Sequence, residues 1–386
     1  MVLVAPAWDE AWRAAHEAGR VLPSHVVPVS HGDRRVLAAE IRARTPLPPR
    51  HASAMDGWAV CGVGPWRVVD DVLAGQDRLT RLEAGQAVAI ATGAAVPPDT
   101  SGVLRSERGT VDAAGFLHGA IGDGTDIRPA GEEADLAELL IPAGTVLTPA
   151  HLGLAAAGGH DELAVVRRPR ATFLVLGDEL LRTGQAREGK IRDSLGAQVP
   201  AWLERMGFEV TCVAWVPDTR DAHVQALLDG ADADVIVTSG GTAQGPVDFL
   251  RVALADTGGE LVIDRVDVRP GSPMILGRWP GRRWLIGLPG NPQAAIVALM
   301  TLGLPLADAL HGRPLAELDT RQLAASITSR GSRTRLVPCT DMAGIASPAD
   351  FIGSGMLRGL ADSTGFAVVV GGQGEVGGTV RWLPLP

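Results

Sequence analysis

A chain of 386 residues is longer than one hydrophobic core usually organises, so about two to four domains are expected. Its apolar content is ordinary and its charge moderate, and no long polar low-complexity tract breaks the text, which excludes a disordered protein. A net charge of −9 excludes a broad nucleic-acid surface, which needs clustered Lys and Arg, but not a small anionic ligand held by local donors.

The opening MVLVAPAWDEAWRAAHEAGR lacks the basic and apolar regions of a signal peptide. Apolar runs elsewhere are broken by Gly, Pro or charge before the roughly 20 residues of a membrane span. Cys61, Cys212 and Cys339 are too scattered for a disulfide framework or a zinc site. A cytoplasmic protein in a reducing compartment, without membrane contact, is expected. Trp8, Ala11, Trp12 and Ala15 fall at helical spacing and predict a helix over 7–18. A second helix is predicted over 34–43, ended by the prolines of TPLPPR. From His51 to Gly124, short apolar runs divided by Gly, Pro and Asp predict a small β-rich domain. A helix over 148–158 and a strand in DELAVVRRPR follow.

Between Arg170 and His311, strands alternate with helices over 194–206, 221–229 and 247–255, and a closing helix follows GLPGNP. Strands that are apolar throughout indicate a mostly parallel sheet covered on both faces. The tail from Pro314 returns to Gly-rich apolar segments and predicts a terminal β-barrel or sandwich.

Three strand ends of this α/β region carry candidate chemistry. The run Val235–Thr238 enters Ser239-Gly240-Gly241, where glycines let backbone amides approach an anion. In GLPGNP, Asn291 is a natural N-cap with Pro292 at the first helical position, and Gly290 permits an unusual backbone conformation. A helix amino end there would offer amides to a phosphate. The strand ending at Leu176 continues into GDEL, so Asp178 and Glu179 fall at the same edge, with Asp193, Asp218 and Asp248 in neighbouring loops. Each aspartate alone reads as a cap or turn residue; their repetition favours Mg²⁺, which takes one or two carboxylates plus substrate oxygens. No G-x-S-x-G, Walker A loop or dinucleotide fingerprint occurs, and the histidines read as solvated or satisfied polar residues.

Taken in order, SAMDGWAV (53–60), ATGAAVPP (91–98), IRPAGEE (127–133), GDEL, SGGTAQGPVD, RPGSP, GLPGNP and GSGMLRGLADSTGFAVV (353–369) resemble the MoeA/gephyrin E-domain family of molybdenum insertases. The resemblance spans nearly the whole chain. It implies a multidomain α/β plus β protein in four parts. These are a two-segment N-terminal domain (1–45 and 125–168), an inserted β-rich domain with SAMDG (46–124), a MogA-like α/β domain with a central, mostly parallel sheet (169–313), and a C-terminal β-barrel (314–386). It further implies transfer of molybdenum from molybdate into adenylylated molybdopterin with release of AMP, aided by Mg²⁺. A homodimer with the site at the subunit interface and contact with a MogA-type adenylyltransferase are implied as well.

By motif match, Asp56, Asp178, Glu179 and Asp248 are the implied catalytic residues, with Asp178, Glu179 and Asp248 as metal ligands. Thr92, Asp218, Ser239, Gly240, Gly241, Arg269, Pro270 and Gly271 are implied to bind the pterin substrate, as are Pro289, Gly290, Asn291, Pro292 and Ser354. Several positions depart from the family pattern. KPGKP reads RPGSP, so Ser272 removes a cation; Leu176, Ala243 and Leu195 replace Thr, Ser and Asn; and Glu133 replaces Asp. Lys190 is the only lysine, so Arg269 fits a chain that avoids lysine. Each lost charge-assisted donor weakens anion binding by about 1.5–3 kcal/mol. A weakened paralogue acting as a pterin-nucleotide binding or scaffold protein is therefore the alternative reading.

Overall fold

The structure, a computed structural model, describes residues 2–386 except 73, 76–80, 244, 246, 247, 282, 329, 330, 332 and 372. Two compact units divide the chain: Val26–Val165, and Met1–His25 together with Val166–Pro386.

In the Val26–Val165 unit, a six-stranded sheet runs Gly102–Arg105, Gly57–Val60, Gln86–Ile90, Trp66–Val72, Phe116–His118, Thr110–Val111. Its inward residues, among them Ala59, Val88, Ile90 and Val103, form a buried core. The SAMDG segment begins on the short strand Ala52–Ser53, paired with Ile127–Arg128, and runs directly into Gly57–Val60. A second core gathers Val27, Leu37, Ile41, Ile141, Leu147, Ala155, Leu163 and Val165. The helix predicted over 34–43 is absent. Arg34 adopts a left-handed φ of 58°, Val36 and Leu37 make isolated bridges, and Ile41–Arg42 pairs with Leu139–Ile141. Ile41 and Ala43 are buried while Arg42 is exposed, the two-residue period of a strand. The helix expected over 148–158 is found as Pro149–Ala157, its amino end closed by a capping box between Thr148 and His151.

The other unit is built on a seven-stranded sheet. Its order is Leu3–Val4, Glu260–Asp264, Ile275–Trp279, Arg283–Leu288, Val235–Ser239, Arg170–Leu176, Glu209–Val216. The last four strands are parallel, and Ile275–Trp279 runs against both of its neighbours. Ala171–Leu176 and Val235–Ser239 are buried at every residue, which is why their sequences show no polar alternation. Full burial of each Val, Ile or Leu here contributes about 1.5–3 kcal/mol. Helices Leu195–Arg205, Arg220–Asp229 and Leu250–Asp256 connect the strands, close to their predicted spans.

The helix opening at Pro292 continues through a π-turn at Leu299–Gly303 to Leu310. Its 19 residues are long and apolar enough to cross a membrane, contrary to the expectation that no segment approaches a span. Nearly all of it is buried inside the protein, so it is the core helix of this unit. The Trp8–Ala18 helix packs on it: Trp8 stacks on Trp12 at 5.0 Å and its indole N–H donates to Thr301 Oγ1 at 3.0 Å. The C-terminal strands close on themselves. Thr334–Met342 pairs with Ile345–Pro348, then Thr320–Leu323, Thr379–Pro384 and Gly365–Val369 follow, and the last returns to Thr334–Met342. This five-stranded barrel leaves no open edge and encloses Leu323, Val337, Cys339, Ala367 and Trp382.

Candidate functional site at the carboxyl edge of the sheet

Three neighbouring parallel strands end in register, with Val175 opposite Ser239 and Ser239 opposite Leu288. Cross-links hold these ends level. The buried Ser239 Oγ accepts the Leu176 N–H at 3.2 Å, and the Gly240 N–H donates to the Leu288 carbonyl at 2.8 Å. The loops at Gly177–Glu179, Gly240–Gly241 and Pro289–Pro292 therefore leave the sheet side by side, the position at which open α/β sheets bind ligands. Gly240 and Gly241 have φ of +83° and +69°, the left-handed region in which glycine has no steric penalty.

Details of this edge differ from the sequence expectation. The Gly240 amide is committed to Leu288, so it is not a free donor to an anion. Gly290 does not have a positive φ, and the atom nearest to a Cβ there is Gly240 Cα at 4.0 Å. Asn291 occupies the N-cap position of the Pro292 helix, but its side chain makes no capping bond. The helix amino end is instead met by the GSG loop: the Ala294 N–H donates to the Ser354 carbonyl at 3.2 Å, and the Gln293 side-chain amide donates to the Ile352 carbonyl at 3.2 Å. Ser354 thus reaches the site through its backbone and closes one of the amide positions expected to face a phosphate. The Arg269-Pro270-Gly271 turn packs under the same helix. Gly271 has φ +98°, and a Cβ there would lie 2.9 Å from the Ala294 carbonyl oxygen. Arg269 is exposed, whereas the Ser272 hydroxyl donates to the Val266 carbonyl at 2.8 Å.

The acidic residues gather on one side of this edge. The Asp178 N–H donates to Asp218 Oδ2 at 3.0 Å, and Asp218 Oδ1 lies 4.0 Å from His223 Nε2. Asp248 accepts the Gly245 N–H at 2.6 Å, and Glu179 folds back so that its carboxylate would stand 2.8 Å from a Cβ on Gly177. Asp193 serves the fold instead. Buried, it accepts the Gly196 N–H at 2.8 Å and the Trp215 indole at 3.1 Å, which fixes the start of a helix. Among the described residues, no three His, Cys, Asp or Glu side chains converge as a preformed metal cage. Burial lowers the His223 pKa, and Asp218, Asp178 and Asp248 oppose that shift, so three carboxylates act on one buried ring. The exposed Asp178 and Glu179 of the GDEL loop fit a cation that takes one or two carboxylates and completes its shell with substrate oxygens.

Asp56 and Thr92 belong to the Val26–Val165 unit, where they meet each other. Asp56 Oδ1 accepts both the Thr92 N–H at 2.7 Å and the Thr92 hydroxyl at 3.0 Å. These two bonds, the backbone one first, hold its carboxyl below the usual range. Ser53 is buried and its hydroxyl donates to the Met55 carbonyl at 2.6 Å, tightening the SAMDG turn. The expectation of solvated or satisfied histidines fails at His223, because the ring is buried and neither nitrogen has a hydrogen-bond partner among the described residues. Its place five residues after Asp218, on the inward face of a helix, is the signal the sequence offers for it.

Residues 7–159 match the MoeA N-terminal region (domain I and II), 172–309 the probable molybdopterin binding domain, and 320–385 the MoeA C-terminal region (domain IV). A curated relative, molybdopterin molybdenumtransferase 2 of Mycobacterium tuberculosis, is 32% identical over 355 residues, covering 84% of this chain and 85% of its own. The molybdopterin molybdenumtransferase of Haemophilus influenzae is 30% identical over 288 residues, covering 72% and 71%. A solved molybdopterin biosynthesis MoeA protein of Pyrococcus horikoshii superposes with a TM-score of 0.82 at 19% identity, covering 98% of this chain and all of its own, which establishes a shared fold. The chain belongs to the MoeA family of molybdopterin molybdenumtransferases.

Proposed function

We propose that this protein completes molybdenum cofactor synthesis by moving molybdenum from molybdate into adenylylated molybdopterin, with release of AMP. The observation that carries the reading is the levelled row of strand-end loops at Gly177–Glu179, Ser239–Gly241 and Pro289–Pro292, with the Asp218 carboxylate accepting the Asp178 amide. The curated relatives' names support it.

In this reading, Gly241, Gly290 and the Asn291 side chain, which has no capping duty, meet the phosphates of the substrate, and Arg269 supplies charge from the turn below. Ser239, Gly240, Gly271 and Ser354 act by shaping the edge, since their polar groups or backbones are engaged in holding loops together. Pro270, Pro289 and Pro292 stiffen the turns around it. Asp178, Glu179 and Asp248 would hold Mg²⁺, whose charge would offset that of the phosphoanhydride. Asp218 holds the Asp178 turn, and in the Val26–Val165 unit Asp56 with Thr92 forms an oriented carboxylate. The dithiolene sulfurs of the substrate take the molybdenum, so no cysteine cluster is needed. The same reading includes a cytoplasmic homodimer with the site at the subunit interface, substrate delivery by a MogA-type adenylyltransferase, and the four-part division at residues 45, 124, 168 and 313.

The test supplies purified protein with adenylylated molybdopterin, Mg²⁺ and molybdate, and follows AMP release together with activation of a molybdenum-dependent apo-enzyme. Molybdate-dependent AMP release with cofactor transfer is expected. Tight substrate binding without either contradicts the reading.

A further inference from the structure

His223 lies near the start of the Arg220–Asp229 helix with 2% of its surface exposed, and neither ring nitrogen has a hydrogen-bond partner among the described residues. A neutral imidazole carries one N–H and one lone pair, and burying both unpaired destabilises a fold. The surroundings would accept an apolar side chain. Phe249 meets the ring edge-on at 5.9 Å between centroids, and a Cβ on Gly241 would stand 3.8 Å from Cε1. A polar ring kept in such a place, at a stability penalty, points to use. Among the described residues, the polar group closest to the ring is Asp218, whose Oδ1 lies 4.0 Å from Nε2 while its Oδ2 accepts the Asp178 N–H at 3.0 Å.

We infer that His223 is a positioning residue for the proposed reaction: with substrate bound, its Nε2–H donates to Asp218 and fixes the carboxylate that holds the Asp178 turn. The inference rests on the proposed function and names a residue outside the motifs that led to it. An inward movement of about 1 Å brings the pair to hydrogen-bond distance. Burial keeps the ring neutral at pH 7, so it acts as a donor and not as a second charge. The result is a chain from the helix through a carboxylate to the strand-end loop: His223, Asp218, Asp178.

The test compares wild-type protein with His223→Leu, His223→Gln, Asp218→Asn and the His223→Leu/Asp218→Asn pair, using adenylylated molybdopterin, molybdate and Mg²⁺. His223→Leu is expected to raise the thermal unfolding midpoint, because an unpaired polar ring gives way to an apolar side chain. The same variant should lower kcat about tenfold with KM unchanged, the size of effect of one charge-assisted hydrogen bond. His223→Gln, which keeps an N–H donor, should recover part of kcat. The double variant should be no slower than Asp218→Asn alone, because both changes break one chain. If His223→Leu fails to fold, His223→Gln alone and combined with Asp218→Asn gives the same comparison. Wild-type kcat in the His223 variants, or rate losses that multiply in the double variant, overturns the inference while leaving the proposed function standing. A wild-type protein that releases no AMP overturns both.

Discussion

Ser239 Oγ accepts the backbone N–H of Leu176 across two parallel strand ends at 3.2 Å, and both residues are buried. The side chain of one strand end thereby satisfies the last amide of its neighbour, at the point where the candidate site begins. Ser239→Ala leaves that amide unpaired away from water, which should lower unfolding stability by about 1–3 kcal/mol in denaturant titration. Substrate affinity should fall with it, since the Gly177–Glu179 loop loses its anchor.

The turn at Gly271 sets a second constraint. With φ +98° and the Ala294 carbonyl oxygen 2.9 Å from any Cβ, Gly271→Ala must strain the turn or push the Pro292 helix outward. A loss of about 1–3 kcal/mol in denaturant titration is expected. Gly281→Ala is a control, because that glycine also has a positive φ but meets nothing within 4 Å, so its loss should be smaller.

Asp56 and Thr92 predict a graded response. Thr92→Ala removes the hydroxyl donor and leaves the backbone donor, whereas Asp56→Ala removes the acceptor of both. AMP release should fall modestly in the first variant and severely in the second. Equal losses would contradict this order.

Acid stability should carry the mark of His311. Burial, reinforced by Arg313, lowers its pKa from 6.5 to about 4 in the folded chain. Well above pH 6.5 the ring is neutral folded and unfolded, so it imposes no penalty. As pH falls toward 4, the unfolded chain takes up a proton that the folded chain refuses, so stability falls, by on the order of 3 kcal/mol in total. Chemical denaturation at pH 7 and pH 5 should show this slope, and His311→Gln should flatten it.

Much of the α/β region is legible in the sequence because buried parallel strands have a distinctive text: Ala171–Leu176 and Val235–Ser239 are mostly apolar and buried on both faces, and glycine turns mark their ends. The run from 34 to 43 misleads because Val36, Leu37, Ile41 and Ala43 satisfy a helical spacing as well as a strand one. Pairing with Leu139–Ile141, about a hundred residues away, decides between them. The 292–310 helix is hard to read as one continuous apolar element because its glycine and proline look like breaks, yet the helix absorbs them through a π-turn. At the site, motifs locate the loops but not their internal bonds. That Ser354 meets the Pro292 helix through its carbonyl, and that His223 turns inward beneath Asp218, depends on packing between segments far apart in the text.

A crystal structure of the protein with adenylylated molybdopterin and Mg²⁺ bears most directly on the central claim. The substrate's phosphates should lie against Gly241, Gly290 and Asn291, with the cation on the Asp178 and Asp248 side. Phosphates bound away from the ends of the Arg170–Leu176, Val235–Ser239 and Arg283–Leu288 strands would contradict it.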